Sequence, residues 1–397
     1  MQTNIIIVMI CVAVYSLLAK RLSSTILTAP IVFIALGYGL SFSNTVSLDH
    51  AEGILHLVAE AALIILLFAD ASMINLDALK KRHIWPRRML LIGLPLAVLL
   101  AAGVASVLLP NWSIFAVALV ASILAPTDAA LGQAVISNTN VPERERRTLI
   151  IESGLNDGLA LPVVLFFACT LATMEGEHDS NFLLFVIQQL TLGPGIGIFL
   201  GWFGGHALMS AHKRNLSESH FEGIAAIAIA VAAYVGASMV DGNGFIAAFC
   251  AGLVFGKIAK QRIKHVQEFV ESEGQILVWA SFFLIGLVLL PEALHHLNWA
   301  TLILILLSLF VVRPLAIYLS LIGTDAKPTT RLFFGWFGPR GLATALFALL
   351  VVGEINQTYA ESVLMIAINA VWISTLLHGL TAAPGANWYA KKINKDN

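Results

Sequence analysis

The sequence predicts an all-α polytopic membrane protein of about thirteen transmembrane helices, arranged as an inverted repeat with two broken, crossing helices. Three observations carry this. The 397 residues are 58% hydrophobic and only 12% charged, with a mean hydropathy of +0.85. A soluble domain carries about 25% charged residues. Apolar runs close to the ~20 residues that span hydrocarbon recur along the whole chain. Basic residues gather in alternate loops, as they do on the cytoplasmic side of a membrane.

The apolar segments are 4–19, 25–41, 53–74, 89–109, 112–135, 149–174, 182–210, 221–240, 244–258, 275–293, 300–322, 332–352 and 362–383. Between them Lys and Arg appear at Lys20-Arg21, at Lys80-Lys81-Arg82 with Arg87-Arg88, and at Arg144, Arg146 and Arg147. They return at Lys213-Arg214, at Lys257, Lys260, Arg262 and Lys264, at Lys327 and Arg331, and at Lys391, Lys392 and Lys395. The intervening loops carry neither. This alternation predicts an odd number of helices, the N-terminus outside and the C-terminus cytoplasmic. The first segment has no basic stretch before it and no small-residue cleavage site, so it is read as an uncleaved helix. Residues 1–390 form one transmembrane unit: a first repeat at 1–174, a connecting helix at 182–210 and a second repeat at 221–385. Residues 386–397 are expected to be a short cytoplasmic tail, with no regulatory domain in this chain. Gly193-Pro194-Gly195 predicts a kink or a split in the connecting helix.

A net charge of −1 gives no indication of nucleic acid as a partner, and Cys11, Cys169 and Cys250 lie singly in apolar runs without metal or disulfide spacing. The motif at which the chain's chemistry concentrates is Glu152-Ser153-Gly154-Leu155-Asn156-Asp157, at the head of the sixth segment. Glu152 with Asn156, and Ser153 with Asp157, fall one turn apart on a helix. A carboxylate within a bilayer is costly and marks an ion or proton path. The alternative for Glu152 is an interfacial position, because Arg147 is only five residues away.

Two segments look interrupted. The fifth contains Ala125-Pro126-Thr127-Asp128 and the twelfth Gly338-Pro339-Arg340-Gly341. Proline within a span frees a carbonyl, and charge beside such a break is the pattern of an ion site built from unwound backbone. A plain kink is the alternative for each. The breaks stand seven helices apart, each fifth in its half, as an inverted repeat requires.

The charges within spans are Asp70, Asp128, Glu152, Asp157, Arg313 and Arg340. Four acids against two bases imply that an acid holds a proton or a cation. Asp157 and Asp128, with Thr127, Ser153 and Asn156, offer only hard oxygen donors, which suit Na⁺, Li⁺ or K⁺. Arg340 is expected to pair with Glu152. Arg313 is read as structural, and Asp70 as either interfacial or part of the ion path. His206 and His378 are the histidines deepest in apolar sequence, read as packing groups or pH sensors. His295-His296 lack a metal-site pattern.

Thr127-Asp128, Glu152-Ser153 with Asn156-Asp157, Gly244-Phe245-Ile246-Ala247-Ala248-Phe249 with Gly252, and Gly338-Pro339-Arg340-Gly341 together resemble the monovalent cation/proton antiporter family. The Asn-Asp pair resembles its sodium/proton exchanger branch of NhaP type. The resemblance implies thirteen helices, a homodimer, and ion and proton carriage at Asp157. It implies that Asp128, Thr127 and Ser153 line the site, that Glu152 and Arg340 brace the core, and that Asn156 holds the unwound helix. The departure is Ala129, where many members have proline; here Pro126 precedes the pair.

The expected activity is electroneutral exchange of a monovalent cation for H⁺ by alternating access in a plasma (inner) membrane, with no resident cofactor and no enzymatic chemistry. A sodium-coupled organic-anion symporter on a similar scaffold is the alternative. A channel fits less well, since break plus carboxylate favours a gated single site. No His-Glu-x-x-His or Gly-x-Ser-x-Gly supports an intramembrane hydrolase.

Overall fold

A computed structural model describes residues 2–22, 27–42, 48–74, 84–128, 130–136, 138–174, 182–259 and 264–396. The basic cluster at 80–82, the acidic loop 175–181, Lys260, Arg262 and Ala129 lie outside them. Among the described residues there is no strand.

Among the described residues thirteen helical segments follow in order, two of them broken. They are α1 (Gln2–Leu22), α2 (Ala29–Ser41), α3 (Leu48–Met73), α4 (84–108) and the broken α5. Then come α6 (Glu143–Met174), α7 (Phe182–Lys213), α8 (Ser219–Ser238), α9 (Gly244–Ala259), α10 (264–295) and α11 (299–320). The broken α12 and α13 (Gln357–Asp396) complete the chain. In α5, the half-helix Ile114–Ile123 is separated from Gln133–Ile136. In α12, Pro328–Trp336 is separated from Leu342–Val352. Among the described residues eight helices are long and apolar enough to cross a membrane, and five more are shorter apolar helices. Large apolar side chains such as Leu57, Leu99, Phe199 and Trp202 are exposed around the bundle. In water they would be a liability; against lipid tails they cost nothing.

Local chemistry sets the ends. Ser113 caps α5 by accepting the N–H of Ala116, Asn243 caps α9 through Ile246, and Asn298 caps α11 through Thr301. Within α4, α10 and α11 a five-residue π-helical stretch runs up to a helix that has proline in its first turn. Pro95, Pro291 and Pro314 each lack an N–H and crowd the carbonyl four residues back, so the ladder widens there instead of breaking. In α11 this bulge leads directly into Arg313.

Three boundaries differ from expectation. α6 starts six residues before the apolar run, at Glu143, because Glu143 and Glu145 suit a helix N-terminus. Gly193-Pro194-Gly195 does not split α7, which is one helix with Pro194 inside. It lies along α9, where a Cβ at Gly197 would strike the backbone of Ala247. The expected tail at 386–397 is instead the end of α13, which continues to Asp396. Tyr389 there is fully buried, stacks on Phe333 and hydrogen-bonds both Thr330 and Glu145. These contacts carry the helix past its apolar run.

Candidate ion site

The two breaks meet. The backbone N–H of Asp128 donates to the carbonyl of Pro339 at 2.9 Å, and Oδ2 of Asp128 accepts the N–H of Leu342 at 2.9 Å. Leu342 begins the second half of α12, so Asp128 caps a half-helix from across the crossing. The approach is close enough that any Cβ at Gly341 would overlap the Asp128 carboxylate.

α6 passes beside this crossing and presents the polar motif to it. Ser153 Oγ donates to the Thr127 carbonyl at 2.6 Å. Asn156 Nδ2 donates to Thr127 Oγ1, which donates to Glu152 Oε2 at 3.3 Å. The unwound carbonyl of Thr127, released by the break after Pro126, is thereby held by α6. Glu152, Ser153 and Asn156 are all buried inside the bundle. Oδ1 of Asp157 and Oδ1 of Asn156 are buried acceptors without a hydrogen-bond donor. Buried acceptors of this kind call for a proton or a cation. The sequence-derived set Asp157, Asp128, Thr127, Ser153, Asn156 and Glu152 is therefore brought together.

The predicted Glu152–Arg340 pair is corrected. The ion partner of Glu152 is Arg313, with Nη2 at 3.2 Å from Oε1, and both residues are buried. Arg340, 1% exposed, donates to the carbonyls of Ala125 and Pro126 at 2.9 and 3.1 Å and to Ser308 Oγ at 3.4 Å. Those carbonyls lie in the unwound stretch past the first half of α5, outside its helical ladder, and the guanidinium supplies them with donors. Arg313 reaches Glu152 because Gly338 has no side chain: a Cβ there would overlap the Arg313 guanidinium. Arg340 borders the crossing through the Ala125 and Pro126 carbonyls instead of through Glu152.

His378 is buried behind the second break. Nε2 stands 2.9 Å from the Trp336 carbonyl and Nδ1 2.9 Å from the Ser374 carbonyl. Nδ1 faces Ser374 Oγ at 3.1 Å, and that oxygen accepts the backbone N–H of Arg340 at 2.7 Å. His206 is exposed and packs at a tilt against Trp202, with Nδ1 2.9 Å from the Trp202 carbonyl.

A cavity of about 550 Å³ reaches the site. Asp157, Asp128 and Asp70 line it together, with Gly154 and Leu342. It extends past Trp279 to Ala19, Thr28, Met73 and Ile150, which adjoin the basic loops. Asp70, ambiguous in sequence, thus lines the same cavity as Asp128 and Asp157.

Residues 5–388 match the family described as sodium/hydrogen exchanger, transmembrane. The K(+)/H(+) antiporter NhaP of Alkalimonas amylolytica is 26% identical over 97% of this chain and 66% of its own length. The K(+)/H(+) antiporter NhaP2 of Shewanella sp. (strain ANA-3) is 26% identical over 68% of this chain and 46% of its own. The chain thus spans about two thirds or less of the length of these relatives. The fold matches the sodium proton antiporter MjNhaP1 from Methanocaldococcus jannaschii at pH 8, with a TM-score of 0.79, 20% identity and 98% of each chain covered.

Proposed function

The chain belongs to the sodium/hydrogen exchanger family, and we propose that it is a secondary antiporter exchanging a monovalent cation for H⁺ by alternating access. The observation that carries the mechanism is the orphaned Asp157 Oδ1 at the crossing of two broken helices, lining an open cavity. A proton on Asp157 satisfies the carboxylate in one way, and a cation ligated by Asp157, Asp128, Ser153 Oγ and the Thr127 carbonyl satisfies it in another. One carboxylate cannot serve both at once, so the two compete and exchange is obligatory.

Each residue has a defined part. Asn156 and Ser153 hold the Thr127 backbone in register. Arg340 neutralises the carbonyl end of the first half-helix and keeps its dipole from facing the cation unsatisfied. The Glu152–Arg313 pair closes the wall behind Thr127. With Asn156 in place of a second acid, one proton moves per cation and no net charge crosses. The relatives' names give K⁺ and Na⁺ in turn, so Na⁺, Li⁺ and K⁺ all enter the test. The organic-anion symporter loses ground to the cavity itself: Asp70, Asp128 and Asp157 together repel an anion.

The same reading places the protein as a homodimer in a plasma (inner) membrane, N-terminus outside and C-terminus cytoplasmic, with the cavity open to the cytoplasm. It takes 1–174 and 221–385 as inverted halves, each contributing its fifth helix to the crossing. Purified protein in liposomes with an internal pH dye, given a pH gradient and then Na⁺, Li⁺ or K⁺, tests it. Dye recovery with at least one cation, insensitive to membrane voltage and absent in Asp157→Asn, is expected. No response to any cation from folded protein contradicts antiport.

A further inference from the structure

At the end of the bundle away from the basic loops, α10 and α13 bring three metal-ligating side chains together. Glu292 and His296 stand one turn apart at the end of α10, and Glu361 lies near the start of α13. One donor atom from each falls within 4.8 Å of the others. Ligands about 2.1 Å from a single ion sit roughly 3–4 Å apart, so small rotations of three exposed side chains close the set.

The imidazole is already oriented. His296 Nδ1 lies 3.0 Å from the Glu292 carbonyl oxygen, which only accepts, so Nδ1 carries the hydrogen. That leaves Nε2 as the atom presented to Glu361, 3.2 Å from Oε1. A ligating histidine is held in this way, its second nitrogen tied to a carbonyl. The backbone beneath is pinned as well. Asn369, buried in α13, donates to the Ala293 carbonyl at 2.6 Å, so the end of α10 and the start of α13 keep their spacing. An exposed His–Glu pair alone contributes little, and it leaves Glu292 beside a second carboxylate.

We propose that Glu292, His296 and Glu361 form a surface site for a divalent transition-metal ion such as Zn²⁺. Imidazole with two carboxylates suits Zn²⁺ and its neighbours, whereas Ca²⁺ and Mg²⁺ prefer oxygen alone. Three protein ligands leave a position for water, and the bound ion clips the end of α10 to the start of α13. The site is independent of the ion path and of the transport reading.

The test is calorimetric titration of Zn²⁺ into chelator-treated, full-length protein carrying no polyhistidine tag, with Ca²⁺ as control. One Zn²⁺ per chain is expected, no Ca²⁺ response, and a loss of affinity of about tenfold or more in both His296→Ala and Glu361→Gln. Melting should rise with Zn²⁺ in the parent protein and not in these variants, whose exposed substitutions leave the fold intact. Absence of Zn²⁺ binding by the parent protein, or binding unchanged in His296→Ala and Glu361→Gln, overturns the proposal. So does binding lost in His295→Ala and kept in His296→Ala.

Discussion

The Asp128 carboxylate caps the second half of α12 by accepting the N–H of Leu342 at 2.9 Å, while its own N–H is held by Pro339. A half-helix N-terminus carries unpaired N–H groups and partial positive charge, and an anion from the other broken helix satisfies both. An acid that lines the cavity is therefore also the joint between the two breaks. Asp128→Ala should cost about 1 kcal/mol in stability by analogy with lost caps and abolish exchange. Asp128→Asn keeps an acceptor for Leu342, so it should melt closer to the parent protein while still failing to transport. Thermal melting beside liposome flux separates the two effects.

The buried Glu152–Arg313 pair gives a second test. Glu152→Gln leaves the Arg313 guanidinium without its countercharge, a change that costs about 3–5 kcal/mol in buried pairs. A double-mutant cycle of Glu152→Gln with Arg313→Gln should give a larger coupling energy than the cycle with Arg340→Gln. The reverse order would restore Arg340 as the partner of Glu152.

Gly338→Ala forces a methyl into the Arg313 guanidinium. Overpacking of this kind costs about 1–3 kcal/mol. The variant should lose yield and melting temperature, and Arg313→Ala in the same background should recover part of the loss. No change in either would mean that Arg313 does not occupy that space.

His378 acts on the second break through Trp336 and Ser374. His378→Ala removes the ring's contacts to the Trp336 and Ser374 carbonyls and to Ser374 Oγ, with an expected cost of about 1–3 kcal/mol for buried groups left unpaired. Ser374→Ala deprives the Arg340 N–H of its acceptor. Both should depress maximal exchange more than apparent cation affinity, since neither residue lines the ion path.

In the loop between α11 and α12, Asp325 is held below the usual carboxylate range, chiefly by the Arg144 guanidinium at 2.5 and 3.0 Å and also by the Trp85 indole N–H at 2.8 Å. A lowered folded-state pKa stabilises fully above the ordinary carboxylate range and is lost as pH falls below it. The pair is exposed, so Asp325→Asn should cost no more than about 1 kcal/mol at neutral pH. The difference from the parent protein should vanish in acid, which melting curves from pH 7 to pH 3 will resolve.

Much of this was legible in the sequence because membranes leave few ways to hide polarity. Pro126 beside Asp128 and Pro339 beside Arg340 marked both breaks, and the i, i+4 spacing put Asn156 and Asp157 on adjacent faces of one helix. What spacing does not carry is the partner of a buried charge. Arg340 and Arg313 both lie far from Glu152 in sequence, and the choice was made by the freed carbonyls at 125–126 and by the missing Cβ at Gly338. Arg313 directly before Pro314 was the available signal. Tyr389 and Asn387 lay beyond the last apolar run, and their hydrogen bonds to Thr330, Glu145 and Asn138 form only in the fold. Asp70 sits at the end of an apolar run, where periodicity alone does not separate interface from cavity wall.

Proton release on cation binding tests the central claim most directly. Purified protein is titrated with Na⁺, Li⁺ or K⁺ in weak buffers of differing ionisation enthalpy, beside Asp157→Asn. Competition for one carboxylate predicts up to one proton released per cation bound, apparent affinity falling as pH falls, and neither effect in the variant. Cation binding of the same affinity at every pH, or proton release that survives Asp157→Asn, would contradict it.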